Sequence, residues 1–472
     1  MSGLHTWSAT ALSRAYRQRS LSPVEVAQAV IGQILRCEPH LCATWLFRPE
    51  LALQQARESQ ARWQRGEPLS ELDGVPVTLK DNVATAGDAM PLGTAAVADT
   101  PMPADSPPAA RMREAGAVLV AKTTMPDYGM LSSGVSTFHK TARNPWNTRK
   151  TPGGSSSGAG AAAAAAYGPL HVGTDIGGSI RLPAGWCGIF GLKPSLGRIP
   201  IDPPYTGRAA GPMTRSAADA AFMMRWLSLP DARDAMNLPP QDIAWHEVAD
   251  ADATLGADAA NWLRGRRFGL LLDAGCGLPV DPEVRATVER AARAIELAGG
   301  IVEPMQPFFT AQMLAGLDHF WRMRSHVDLK ALPPERETRV LPYIREWAHS
   351  AQGMDGEALF HAQHQSYLTR MATVRATAAF DYVLSPVSPV PAFDAELPSP
   401  TNDPMRPLEH IAFTVPFNMS EQPAASVNCG YTSSGLPIGL QIAGARFDDL
   451  GVLRMAHAFE QIREPQRPWP MD

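Results

Sequence analysis

Cysteine is scarce and unpatterned in this chain. The five residues Cys37, Cys42, Cys187, Cys276 and Cys429 include no C-x-x-C pair. That argues against a disulfide framework or a metal site and fits a reducing compartment. Long runs of one charge are also missing. The net charge is −5 over 472 residues, so nothing points to nucleic acid or a membrane surface. The N-terminal MSGLHTWSATALSRAYRQRS has no apolar core, so no secretory signal is expected. The charge-free stretch from Thr151 to Thr174 is rich in Ala, Gly and Ser, and too weakly apolar to span a bilayer. A cytoplasmic location is the expectation. No repeat of 20–50 residues is evident, and no histidine stands in a recognisable triad setting.

What the chain does have is size, proline and one unusual block. It is 45% hydrophobic, enough for a large core. Its 43 prolines are nearly twice the ~5% average, which predicts many ordered loops. The block runs from Thr151 to Arg181: TPGGSSSGAGAAAAAAYGPLHVGTDIGGSIR. It holds two glycine–serine clusters, whose Ser155 and Ser179 are 24 residues apart. The alanine run Ala161–Ala166 between them predicts a helix, stopped by Gly168-Pro169. Leu170-His171-Val172 predicts a strand that delivers Thr174-Asp175 into the second cluster.

Glycine permits close backbone approach and positive φ. A serine among such N–H groups can be a nucleophile with an oxyanion site. A phosphate loop and plain tight turns are the competing readings. The Walker spacing is absent, because Gly158 is followed by Ala159 rather than Lys. A flexible linker would carry neither an alanine block nor Asp175 and Arg181 around a Gly-Gly-Ser.

The run Gly153–Pro200 resembles the signature block of the amidase signature family. Four further segments resemble the family's motifs in the same order. They are Gly74–Asn82 with Lys80, Asn144-Pro145-Trp146-Asn147, Gly211–Ser216 with Asp219, and a C-terminal set. That set comprises Pro416-Phe417-Asn418, Pro423 and Gly435–Gln441. The resemblance implies an α/β fold, a mixed twisted sheet of about eleven strands covered by helices on both faces. It implies one domain over residues 1–472, with a core block at about 70–225 and a variable substrate-pocket region at about 300–410.

It also implies a Ser–cis-Ser–Lys triad: Ser179 as nucleophile, Ser155 as bridge after a cis Gly154–Ser155 bond, and Lys80 as base. The family motif reads GGSSGG, and here Ser157 replaces a glycine. Backbone N–H groups of Ile176, Gly177, Gly178 and Ser179 would form the oxyanion hole. Thr174 and Arg181 would support the site, and Asp175 would fix the turn. Tyr128, Gly129, Met130, Leu131 and Ser132 would line the substrate pocket. A lysine can act as base only when neutral. Its pKa must fall from about 10.4 to near neutral, roughly 4 kcal/mol, which burial behind Val75-Pro76-Val77-x-Leu79 can provide. Asp81 is expected to point away, since pairing with Lys80 would oppose that fall.

The expected activity is serine hydrolysis of a C–N bond beside a carbonyl, outside peptide bonds, with no metal or organic cofactor. The substrate would be a small amide, anilide or carbamate (urethane). The apolar neighbourhood suggests a neutral or aromatic one. A monomer or homodimer is expected. Three other readings remain: the glutaminase component of a tRNA-dependent amidotransferase, a non-catalytic binding protein on the same scaffold, and the phosphate loop. Such glutaminases carry an acid for the ammonium of glutamine shortly before the segment matching Thr414-Val415-Pro416. His410-Ile411-Ala412-Phe413 supplies none, though Glu409 is near.

Elsewhere, Ser22-Pro23-Val24-Glu25 reads as a capping box opening a helix over 22–36. Arg267–Leu272 reads as a strand. Asp281-Pro282-Glu283 caps a helix ended by Gly299-Gly300. The aromatic residues of 305–375 read as helix core or as walls of a substrate funnel. Residues 386–407 read as a Pro-rich surface loop.

Overall fold

The computed structural model describes residues 3–250 and 260–471. The outermost positions of the expected domain span, and residues 251–259 within it, lie outside these. Eleven strands among the described residues form one sheet. They are β1 (Thr44–Phe47), β2 (Pro76–Lys80), β3 (Val118–Thr123), β4 (Leu170–Asp175), β5 (Phe190–Lys193) and β6 (Ala209–Thr214). Then follow β7 (Arg267–Leu270), β8 (Ile301–Pro304), β9 (Tyr382–Pro386), β10 (Ala424–Tyr431) and β11 (Pro437–Ala443). Their order is β1-β3-β2-β4-β6-β5-β10-β11-β9-β7-β8. The β3-β2-β4 and β9-β7-β8 groups are parallel, and the ladders between and beside them are antiparallel.

Alternation of side chains across the strands divides the core. Tyr382 and Leu384 of β9 join one buried cluster with Ala425, Val427, Leu440 and Ile442. Val383 joins a second, with Ala424, Ala443 and Leu182. On β2, Val77 and Leu79 enter the first cluster, so Thr78 and Lys80 face the other way. Lys80 thereby lies buried at the carboxyl end of a central strand.

The helix Ser157–Ala164 starts earlier and ends two residues sooner than the alanine run suggests. Ala166 adopts a left-handed backbone (φ 57°), and the chain then turns into β4. Every residue of this helix is buried. Ala161, Ala162 and Ala165 contact one cluster, while Ala159 and Ala163 pack with Ile180, Ala184 and Met213. Only small side chains let a helix be buried all round at such close range.

The capping box at Ser22 and Glu25 is present, and its helix continues to Leu41. The strand from Arg267 is shorter than expected, ending at Leu270. Asp281 caps the helix Pro282–Leu297. Residues 305–375 form mainly the helices Ala311–Lys330, Pro342–His349 and Gly356–Thr377. Trp321 and Trp347 are core, whereas Tyr367 is exposed. The segment 386–407 is irregular as expected, but it is not a surface loop throughout. Val387, Ala392, Ala395 and Ser399 are buried, and Trp186 Nε1 donates to Val390 O. No helix among the described residues is long and apolar enough to cross a membrane.

Candidate active site

Lys80 ends β2 with no exposed surface. Its Nζ lies 2.8 Å from Ser155 Oγ and 2.9 Å from Thr174 Oγ1. Burial holds its pKa down to about 7, against the pull of Asp175 and Asp81 and with the help of Arg208. Asp81 does point away. It accepts from His139 Nε2 at 2.8 Å and from the N–H groups of Leu92 and Gly93. A neutral amine is therefore available near neutral pH at a buried serine hydroxyl.

The Gly154–Ser155 peptide is cis. Gly154 is pressed against backbone: an added Cβ would stand 2.6 Å from Ser133 N and O and 2.7 Å from Leu131 O. Any side chain there would displace Ser155. Ser157, in place of the family's glycine, begins the helix and donates to Thr124 O at 3.2 Å. Ser156 ties the two serine clusters together. Its N–H donates to Ser179 O at 3.2 Å, and its hydroxyl bonds the backbone of Thr174.

Ser179 lies after the turn that follows β4 and is 9% exposed, against 4% for Ser155. Asp175 shapes that turn, accepting from the N–H groups of Gly178 (2.8 Å), Ile180 (3.1 Å) and Arg181 (3.4 Å). This corrects one expectation. The Gly178 N–H is turned back onto Asp175, so the amides left to meet a ligand are those of Ile176, Gly177 and Ser179. Burial alone would raise the Asp175 pKa, but the Arg181 guanidinium and Asn418 hold it far below the usual carboxylate range. Its carboxylate is thus an anion whose hydrogen bonds anchor the turn. Trp321 and Ile411 pack beside Gly177.

A cavity of about 530 Å³ opens beside this cluster. Asn82 and Thr174 link it to Lys80. Of the five residues expected to line a pocket, Tyr128 and Met130 do so. Gly129 packs against Ser155 Oγ instead, Leu131 backs Gly154, and Ser132 is buried away from the lining. The cavity is also less apolar than expected, since Arg208, Arg324, Asp202 and Asp328 line it. Sequence reasoning missed both arginines. Arg208 precedes a recognised motif by three residues, while nothing marks Arg324 among the helical residues of 305–375. Asn82 was in view within the lysine motif, but without a role.

The Amidase family model matches residues 25–453. A glutamyl-tRNA(Gln) amidotransferase subunit of Myxococcus xanthus (strain DK1622) is 34% identical over 475 residues, covering 93% of this chain and 94% of that protein. Its counterpart in Cupriavidus pinatubonensis (strain JMP 134 / LMG 1197) is 31% identical, covering 96% of each. Among solved structures, a bacterial aryl acylamidase of the amidase signature enzymes superposes with a TM-score of 0.87 at 27% identity, over 97% of this chain and 96% of that one. The 6-aminohexanoate cyclic dimer hydrolase in complex with substrate gives 0.85 at 26% identity, over 99% and 100%.

Proposed function

The chain belongs to the amidase signature family, and from that premise we propose that it cleaves amide C–N bonds through an acyl-enzyme on Ser179. The observation that carries this reading is the buried Lys80 Nζ, 2.8 Å from Ser155 Oγ, with its pKa near neutrality. In this reading Ser179 Oγ attacks the carbonyl carbon as its proton passes to Ser155, whose own proton passes to Lys80. The N–H groups of Ile176, Gly177 and Ser179 stabilise the oxyanion. Ser155 then returns a proton to the departing amine, and water hydrolyses the ester. The same steps serve anilides and carbamates. The resemblance to an aryl acylamidase supports an aromatic amide.

A second reading makes the amide that of glutamine, with the chain as one component of an amidotransferase that works with partners. The curated relatives favour this reading over a free-standing amidase. The acid problem weighs against it: Glu409 is taken up by Arg406, at 2.7 and 2.8 Å, and does not line the cavity. Both readings share the Ser179 chemistry.

The test of that chemistry is intact-mass analysis after treatment with a fluorophosphonate, on wild type and Ser179→Ala. One adduct on wild type and none on the variant is expected. No adduct on folded wild type would favour a non-catalytic scaffold. Ammonia release from glutamine, set against turnover of anilides and carbamates, separates the two substrate readings.

A further inference from the structure

Buried arginines elsewhere in this chain are neutralised. Arg181 meets Asp175 at 2.9 Å, Arg198 meets Asp449 at 3.0 Å, and Arg322 meets Asp318 at 2.6 Å. Two half-buried arginines at the cavity differ. Arg324 and Arg208 both line the cavity, and neither has a carboxylate within ion-pair distance among the described residues. Arg208 donates to Pro203 O, and Arg324 reaches Met130 Sδ at 3.4 Å. Arg324 Nε is buried with no partner among the described residues.

The two guanidiniums flank one ring, lying 6.0 Å (Arg208) and 5.0 Å (Arg324) from the centroid of Tyr205. Such crowding is unfavourable, and burial together with Arg324 holds the Arg208 pKa below its ordinary value. Asp202 and Asp328 line the same cavity, but both are exposed, whereas the arginines are half-buried. Water screens the aspartates more than the arginines. The inner wall is therefore cationic, in electrostatic reach of Lys80.

We propose that Arg208 and Arg324 together bind a carboxylate carried by the substrate, away from the bond that is cleaved. A guanidinium presents a planar fork that matches a carboxylate, and both forks lie beside the Tyr205 ring in the wall of one cavity. This inference rests on the reading that the Ser179 site cleaves amides, and it narrows the substrate to amides bearing an acid. Glutamine falls within that class. So do monoamides of dicarboxylic acids and amides of longer amino acids.

The experiment compares succinamic, glutaramic and adipamic acids with their methyl esters, in wild type, Arg208→Gln, Arg324→Gln and Arg324→Lys. Fluorophosphonate labelling counts competent sites in each variant. At least one free acid should exceed its ester by about tenfold or more in kcat/KM, the value of one charge-assisted bond. The acid-to-ester ratio should fall towards one in both Gln variants, chiefly through KM, and recover in part with Lys. Equal rates for acid and ester in all three pairs would overturn the proposal, as would a ratio unmoved by either Gln variant. If Ser179 takes no label and no amide is turned over, the amidase reading fails separately. Calorimetry then decides the inference alone: glutaramic acid should bind Ser179→Ala at least about tenfold more tightly than Ser179→Ala/Arg324→Gln, and equal affinity would reject it.

Discussion

Asp175 and Arg181 meet at 2.9 Å with neither side chain exposed, and the turn between them contains Ser179. All five guanidinium N–H groups are used. Nε and Nη2 hold Asp175, Nη2 also reaches Asn418 Oδ1 (2.6 Å), and Nη1 reaches Thr414 O (2.9 Å) and Gln441 Oε1 (2.7 Å). Lysine has three donors and no fork, so Arg181→Lys cannot replace this set. Asp175→Asn leaves a buried cation unpaired. Each variant should lose about 3–5 kcal/mol of stability. Urea unfolding should show it as a lowered midpoint at unchanged slope. A shift well under 1 kcal/mol would mean the pair does not hold the turn.

That network also explains which parts of the fold could be read in advance. The block order, Lys80, the serine spacing and the capping box at Ser22 are local or nearly local patterns, so they were legible. The C-terminal segments containing Asn418 and Gln441 could be recognised but not explained. Their side chains converge on Arg181 from 237 and 260 residues away, and nothing in a linear pattern encodes such a meeting. The turning of the Gly178 N–H onto Asp175 depends on backbone angles that Gly-Gly leaves open. The cationic cavity wall was hidden for a related reason. Arg208 comes from the loop before β6 and Arg324 from a helix, and only the tertiary fold brings them to one ring.

With Lys80 as the proposed base, its protonation should set the pH dependence. As a base it works in its neutral form, and burial holds its pKa at about 7. With falling pH it becomes protonated, so kcat/KM should drop about tenfold per pH unit below that value and level off above it. A pH–rate profile from 5 to 9 checks this. An acid limb centred near 10 would mean that Lys80 is not desolvated in the working enzyme. A flat profile would mean that it is not the base.

Lys80 and Ser155 should behave as one unit. Lys80→Met and Ser155→Ala should each lower kcat by about 10²–10⁴, the range for a lost general base. The double variant should be little worse than either, because removing one breaks the relay already. Steady-state kinetics on the three variants form the cycle. Multiplicative losses would show that the two residues act independently, despite the 2.8 Å contact.

Gly178 has φ 131°, which L side chains rarely adopt, and a Cβ there would stand 2.7 Å from Thr414 Oγ1 and 2.9 Å from Leu182 Cδ1. Two effects then follow from Gly178→Ala, and they can be separated. The backbone strain costs about 1–3 kcal/mol wherever the neighbours go, so it should appear in unfolding. The contact pushes Thr414, whose hydroxyl donates to Gly177 O at 2.6 Å, and so moves the amides of Ile176, Gly177 and Ser179 on which an oxyanion would rest. Losing one such donor costs about 10²–10³ in kcat, so the rate should fall with KM little changed. Thr414→Ala removes the hydrogen bond without the strain. If the turn is held by that bond, Thr414→Ala should reproduce part of the kcat loss while keeping more stability than Gly178→Ala. If Thr414→Ala retains full kcat, the Thr414 hydroxyl does not position those amides, and the Gly178→Ala defect comes from backbone strain and the contact with Leu182.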